Sequence, residues 1–124
     1  MAAAENAKHC VAFSSGSAAT SAVVHLLEHG DSILCIDDVY GGTQRYFRRI
    51  VNPSMNIKVH FLDFDDPDMV QEQLKSCEEA NAPAKLFWLE TPTNPTLKVR
   101  LEPFFCFILL RKMIHDTWIH HHKS

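Results

Sequence analysis

Four short apolar runs, separated by stretches of helical periodicity, constrain the fold of this chain more than any other feature. The runs are Val11-Ala12-Phe13, Ile33-Leu34-Cys35-Ile36, the alternation Ile57-Lys58-Val59-His60-Phe61, and Leu86-Phe87-Trp88-Leu89. Each has the length and apolar content of a strand, and the second, flanked by Asp31 and Asp37-Asp38, suits a strand buried on both faces. Between the first two, residues 17–28 place Ala18, Ala19, Ala22, Val23, Leu26 and Leu27 on one helical stripe, with Ser14 or Ser15 as N-cap and Gly30 as stop. A second helix is expected over 43–51, carrying Arg45, Arg48 and Arg49. A third is expected from Pro67 to about Ala80, with Asp66 as cap and the proline at its first position. Strand–helix alternation requires crossover connections, so the expected fold class is α/β, a mostly parallel sheet with helices on both faces.

The 124 residues suit one domain or part of a larger one, and 46% hydrophobic content permits a packed core. A net charge of −3 without a basic run gives no footing for nucleic acid. The longest apolar run, 104–110, is far below the roughly 20 residues a membrane helix needs, and the start carries no signal-peptide pattern. No membrane or nucleic-acid partner is therefore expected. Cys10, Cys35, Cys77 and Cys106 are dispersed and form no CxxC pair, which reads as reduced thiols of a cytoplasmic protein.

Ligands in parallel sheets bind beyond the carboxyl ends of the strands, so function is sought in the segments that follow the apolar runs. Ser14-Ser15-Gly16-Ser17 joins a strand to a helix start, where unpaired N–H groups and partial positive charge suit a phosphate, and Gly16 lets an anion approach. It reads equally as a capped helix behind a tight turn. Asp37-Asp38-Val39-Tyr40-Gly41-Gly42 offers an aromatic ring beside two glycines, either a platform for a flat ligand or a plain turn. Glu90-Thr91-Pro92-Thr93-Asn94-Pro95 is a stiffened polar loop that could hold Asn94 at a fixed angle, or a mere connection. Asp63, Asp65, Asp66 and Asp68 lack the glycine and terminal acid of a calcium loop and read as a solvated turn. His120, His121 and His122 form a loose cluster, while His25, His29 and His60 are scattered, so no metal site is expected.

Taken together, three segments carry a resemblance. Ala12-Phe13-Ser14-Ser15-Gly16-Ser17-Ala18-Ala19-Thr20, Asp37-Asp38-Val39-Tyr40-Gly41-Gly42-Thr43-Gln44-Arg45-Tyr46-Phe47 and Trp88-Leu89-Glu90-Thr91-Pro92-Thr93-Asn94-Pro95-Thr96 stand in the order and spacing of the cystathionine gamma-lyase family. That family of pyridoxal-phosphate enzymes also includes cystathionine beta-lyase, cystathionine gamma-synthase and methionine gamma-lyase. The resemblance covers residues 3–99 and is nearest to the gamma-lyases. It implies part of a fold-type-I, aminotransferase-like large domain that binds pyridoxal 5'-phosphate. It implies an amino-acid substrate and a homotetramer. The implied reaction cleaves a carbon–sulfur bond of cystathionine to give cysteine, 2-oxobutanoate and ammonia, with hydrogen sulfide release as a side activity. It also implies roles for individual residues. Gly16 and Ser17 would contact the cofactor phosphate. Tyr40 would stack on the pyridine ring and act as a catalytic acid–base group. Asn94 would meet the cofactor and the substrate carboxylate, and Arg45 would lie near the substrate.

Beyond residue 99 the sequence leaves the family pattern. The expected division is a partial cofactor-binding domain over 1–99 and a divergent tail over 100–124, the product of splicing, readthrough or a frameshift. The family's Asp-Asn-Thr and Ser-Ala-Thr-Lys type motifs, which carry the ring-nitrogen aspartate and the cofactor-linking lysine, do not occur in these 124 residues. Nor does the preceding family segment that reaches the neighbouring subunit's phosphate. The chain alone is thus expected to show no lyase turnover. The apolar stretch 104–110 is expected either to cover an open sheet edge or to promote aggregation. A non-catalytic isoform that binds full-length subunits and an unrelated phosphate-binding module are the competing readings.

Overall fold

A strand whose five residues are all buried needs cover on both faces and a partner on each edge. β1 (Ser32–Ile36) has both. In the computed structural model, which describes Ala3, residues 8–90 and 92–99 and the backbone of Ile108–Leu110, β1 lies between two parallel neighbours. β2 (Lys58–Leu62) pairs with it from Ser32↔Lys58 to Ile36↔Leu62. β3 (Ala84–Trp88) pairs on the other side from Ser32↔Ala84 to Cys35↔Trp88. β4 (Ile108–Leu110) then adds antiparallel to β3, giving the sheet order β2-β1-β3-β4. Ile108–Leu110, the end of the stretch 104–110, thus covers the edge of β3, one of the two expected outcomes; the rest of the tail, His120–His122 and Cys106 included, lies outside the described residues.

Alternation along β1 separates two packed layers. Ile33 and Cys35 pack with Val24, Leu27, Phe47 and Val51, whereas Leu34 packs with Leu62, Val70 and Cys77. Helices therefore cover both faces, as expected. α1 (Gly16–Val24) and the helical stretch that begins with α2 (Gly41–Tyr46) lie on one face; α4 (Pro67–Glu79) lies on the other. A register shift between Ser32 and Ile33 opposite Ala84 and Leu86 leaves Lys85 as the extra residue. This bulge lets Ala84 face one layer and Leu86 the other.

Three expectations are corrected. Val11-Ala12-Phe13 is not a strand: Val11 is 74% exposed, and no strand lies beside it among the described residues, so its backbone has no ladder to join. The first helix ends at Val24 instead of reaching residue 28. Its continuation tightens into three-residue turns, Leu26 N–H to Val23 O and Leu27 N–H to Val24 O, and Leu26 is turned out to 63% exposure. Asp31 competes for the chain there: its carboxylate accepts the Glu28 N–H at 2.7 Å and meets Lys85 Nζ at 3.0 Å. The second helix runs longer than 43–51. It passes from α2 through a π-helical segment (Phe47–Val51) into α3 (Asn52–Met55). Pro53 explains the widened turn, because it has no N–H to give the Arg49 carbonyl and its ring crowds that carbonyl. α4 follows its sequence signals closely, with Asp66 Oδ1 accepting the Met69 N–H at 3.1 Å.

Candidate functional site

The α1 start and the segments after β1 and β3 converge on one open cavity of about 680 Å³. Gly16 and Ser17 enter it from the first turn of α1, Tyr40, Gly42 and Thr43 from the start of α2, and Trp88 and Glu90 from the end of β3. The loop containing Asp63 and Asp65, which follows β2, does not line it; there Asp63 Oδ1 accepts the Asp65 N–H at 2.9 Å, as a turn does.

The first turn of α1 is built to leave amides available. Ser15 accepts the Ala18 N–H at 3.2 Å, and the Ser15 carbonyl accepts the Ala19 N–H. Gly16 and Ser17, the first two helical residues, have no intrahelical acceptor for their own N–H groups. Apart from its chain neighbours and the helix's own backbone, no described atom lies within 4 Å of the point a side chain on Gly16 would occupy, so the backbone there is open to a ligand. Thr20 Oγ1 donates back to the Gly16 carbonyl at 2.9 Å and turns its hydroxyl into the helix.

Tyr40 is 55% exposed, and its ring lies over Gly42. A methyl group on Gly42 would stand 2.4 Å from Tyr40 Cε1, so the ring position depends on that residue having no side chain. Glu90 holds the Tyr40 backbone: one carboxylate oxygen accepts the Tyr40 N–H at 3.0 Å and the other accepts Trp88 Nε1–H at 3.4 Å. Trp88 is itself fixed by an edge contact with Phe47, ring centroids 5.4 Å apart.

A second carboxylate ties the same two loops in the opposite sense. Asp38 Oδ2 accepts the Thr96 N–H at 3.3 Å and the Thr96 hydroxyl. Hydrogen bonds from Thr93 and Thr96 hold the Asp38 carboxyl below the usual aspartate range. Thr93 is fully buried, and its hydroxyl accepts the Lys98 N–H at 2.9 Å. Beneath the site, burial pushes the Cys35 thiol far up, with the charges of Glu90 and Asp37 adding to the effect.

Of the residues singled out in the sequence, Gly16, Ser17 and Tyr40 line one cavity. Asn94 is exposed in the turn at the cis Asn94–Pro95 bond, and Arg45 is exposed on α2; neither lines the cavity. Glu90, Asp38 and Thr96 do not stand out in the sequence as site residues. Their only local signal was polarity directly after an apolar strand, and their partners lie 50 to 58 residues away. Among the described residues no three His, Cys, Asp or Glu side chains gather to hold a metal ion, and no helix is long and apolar enough to cross a membrane.

Comparison with known proteins bears on this geometry. The sequence model of the Cys/Met metabolism PLP-dependent enzyme family matches residues 1–101. A curated relative named putative cystathionine gamma-lyase 2, from Caenorhabditis elegans, is 48% identical over 99 residues, 80% of this chain and 24% of its own length. Human cystathionine gamma-lyase is 49% identical over 100 residues, 80% of this chain and 23% of its length. The chain thus spans about a quarter of the curated relatives it matches. A probable cystathionine gamma-synthase from Herpetosiphon aurantiacus is 41% identical over 99 residues, 80% of this chain and 29% of its length. Among solved structures, metB from Corynebacterium glutamicum superposes with a TM-score of 0.66 and 36% identity over 79% of this chain and 24% of that one.

Proposed function

The chain belongs to the Cys/Met metabolism PLP-dependent enzyme family, and from that premise we propose that it forms one wall of the cofactor site of a cystathionine gamma-lyase-like carbon–sulfur lyase. The observation that carries this reading is the cavity itself, which sets two helix-start amides and a half-exposed tyrosine ring around one space. Enzymes of the family depend on pyridoxal phosphate, and the residues present fit its two ends. The Gly16 and Ser17 amides, at the positive end of α1, suit a phosphate. The Tyr40 ring suits the face of a flat heteroaromatic.

Pyridoxal phosphate, when bound, supplies an electron sink for carbanion chemistry. The chain's own residues do the positioning. Gly16 and Ser17 anchor the phosphate through backbone N–H groups, so side-chain chemistry is not needed there. Tyr40 would support the bound ring by stacking, and its hydroxyl would give or take a proton near the substrate. Asn94 and Arg45 stand outside the cavity, and their assignment to the cofactor and the substrate carboxylate rests on the family resemblance; the fork geometry of Arg suits a carboxylate. The substrate is cystathionine and the products are cysteine, 2-oxobutanoate and ammonia, a reading supported by the gamma-lyase names of the relatives at 48% and 49% identity. A gamma-synthase is the second reading, favoured by the relative at 41% identity. Cytoplasmic location is supported by free Cys10, Cys35 and Cys77, and homotetramer formation by the family resemblance alone.

The test grafts residues 1–99 into human cystathionine gamma-lyase in place of its matching segment. A chimera that holds pyridoxal phosphate and releases 2-oxobutanoate from cystathionine supports the reading. A folded, cofactor-loaded chimera that releases none overturns it. The 124-residue chain by itself is expected to bind pyridoxal phosphate without turnover, because it contains no lysine in the family's cofactor-linking motif.

A further inference from the structure

The two loops that carry Tyr40 and Asn94 are fastened to each other by carboxylates working in opposite directions. Asp38, from the loop after β1, reaches the Thr96 N–H and hydroxyl. Glu90, from the loop after β3, reaches back to the Tyr40 N–H. Neither bond closes within its own loop, so together they fix the spacing of the loops instead of the shape of either one. Glu90 has a further property. Its second oxygen accepts the indole N–H of Trp88, which is locked in the core against Phe47. The Tyr40 backbone is thereby referenced to the core, although its ring is half exposed.

We propose that Glu90 is a positioning residue that sets the height and tilt of the Tyr40 ring over the cavity, acting through the Tyr40 backbone N–H and the Trp88 indole. This rests on the reading that the cavity takes pyridoxal phosphate, and it extends that reading to a residue that does not touch the cofactor. The geometry is specific to a carboxylate. Both partners are donors, and a carboxylate has two acceptor oxygens with no donor of its own. A glutamine keeps one acceptor but turns an NH2 toward the other donor. A side chain without oxygens leaves both donors unpaired.

The experiment uses the full 124-residue chain with Trp118→Phe, so that Trp88 is the sole indole and its quenching reports ligand in the cavity. Pyridoxal phosphate and inorganic phosphate are titrated separately, the latter by competition. Glu90→Ala is expected to weaken pyridoxal phosphate by about tenfold, the scale of one hydrogen bond to a charged group, and Glu90→Gln by less. Inorganic phosphate, held by the α1 amides alone, should keep its affinity in both variants. A parallel fall for both ligands would show that Glu90 only maintains the fold and would overturn the proposal, as would unchanged pyridoxal phosphate affinity in Glu90→Ala. If the unsubstituted chain binds no pyridoxal phosphate, the proposed function itself fails. The Glu90 role is then decided by nuclear magnetic resonance. Glu90→Gln should shift the Tyr40 amide and Trp88 indole N–H signals together, while Glu72→Gln on the exposed face of α4 moves neither. Independent behaviour of the two signals would reject the role.

Discussion

At the scale of single residues, the site depends on absences as much as on contacts. Gly42 touches no ligand in the proposed arrangement, yet any side chain there collides with Tyr40 Cε1. The ring is half exposed and swings aside, so Gly42→Ala should cost little stability, under about 1 kcal/mol. It should nevertheless lower pyridoxal phosphate affinity, whereas Tyr40→Phe, which keeps the stacking face, should retain it. Thermal melting beside a binding titration checks both; equal affinity for Gly42→Ala and the unsubstituted chain would refute the ring placement. Asp38 makes a pH prediction. Its folded-state value is lowered from 3.8, chiefly by the Thr93 and Thr96 hydrogen bonds. Its contribution is therefore full above that unfolded value and is lost as pH falls through the lowered folded one. The melting temperatures of the unsubstituted chain and Asp38→Asn should differ near neutrality and converge as pH drops below 3.8. Gly16, Ser17 and Tyr40, which line the cavity, were visible in the sequence as candidates because glycine beside a helix cap and glycine beside an aromatic are local signals. Glu90 and Asp38 were not, because the donors that define their roles arrive from 50 and 58 residues away.

At the scale of elements, helices with strong terminal chemistry matched expectation and those under tertiary competition did not. α4 starts at its Asp-Pro signal and caps with Asp66. Asp66→Ala should cost about 1 kcal/mol, typical of an N-cap loss, measured as a shift in denaturant midpoint. α1 stops short because Asp31 draws the chain into a turn secured by Lys85, a partner no stripe of alanines could reveal. The contact between α4 and β2 contains a second titrating group. His60 Nε2 is buried without a hydrogen-bond partner, and burial, aided by the nearby Lys58 charge, lowers its affinity for a proton. The unfolded chain takes up that proton as pH falls below 6.5, the ordinary value, before the folded chain does. Stability should therefore decline on acidification below that value, and His60→Leu should flatten the decline in a series of urea melts. An unchanged slope in the variant would assign the decline to other groups.

At the scale of the whole molecule, the decisive question is how a sheet so small closes its edges. The interior order β2-β1-β3 follows from the burial of β1, which the apolar run at 33–36 already announced. The edges could not be read so directly. The first apolar run, expected as a strand, stays outside the sheet, and the edge of β3 is taken by Ile108–Leu110 in antiparallel pairing. Without that pairing, the outer N–H and C=O groups of Leu86, Phe87 and Trp88 would form an open ladder on a strand whose side chains are buried, the kind of edge that recruits other chains. Removing residues 100–124 should therefore raise the concentration-dependent self-association of the chain above that of the full 124 residues, detected by light scattering during size-exclusion chromatography. Leu109→Pro in the full chain should do the same, since a proline at the centre of this three-residue strand, opposite Phe87, disfavours the extended pairing while leaving the length unchanged. Hydrogen exchange supplies the mechanism: the amides of 86–88 that face β4 should lose protection in both variants, while those of β1 keep theirs. If the 1–99 chain associates no more than the full chain and those amides stay protected, β3 has another cover, and the strand at 108–110 is not what covers its edge.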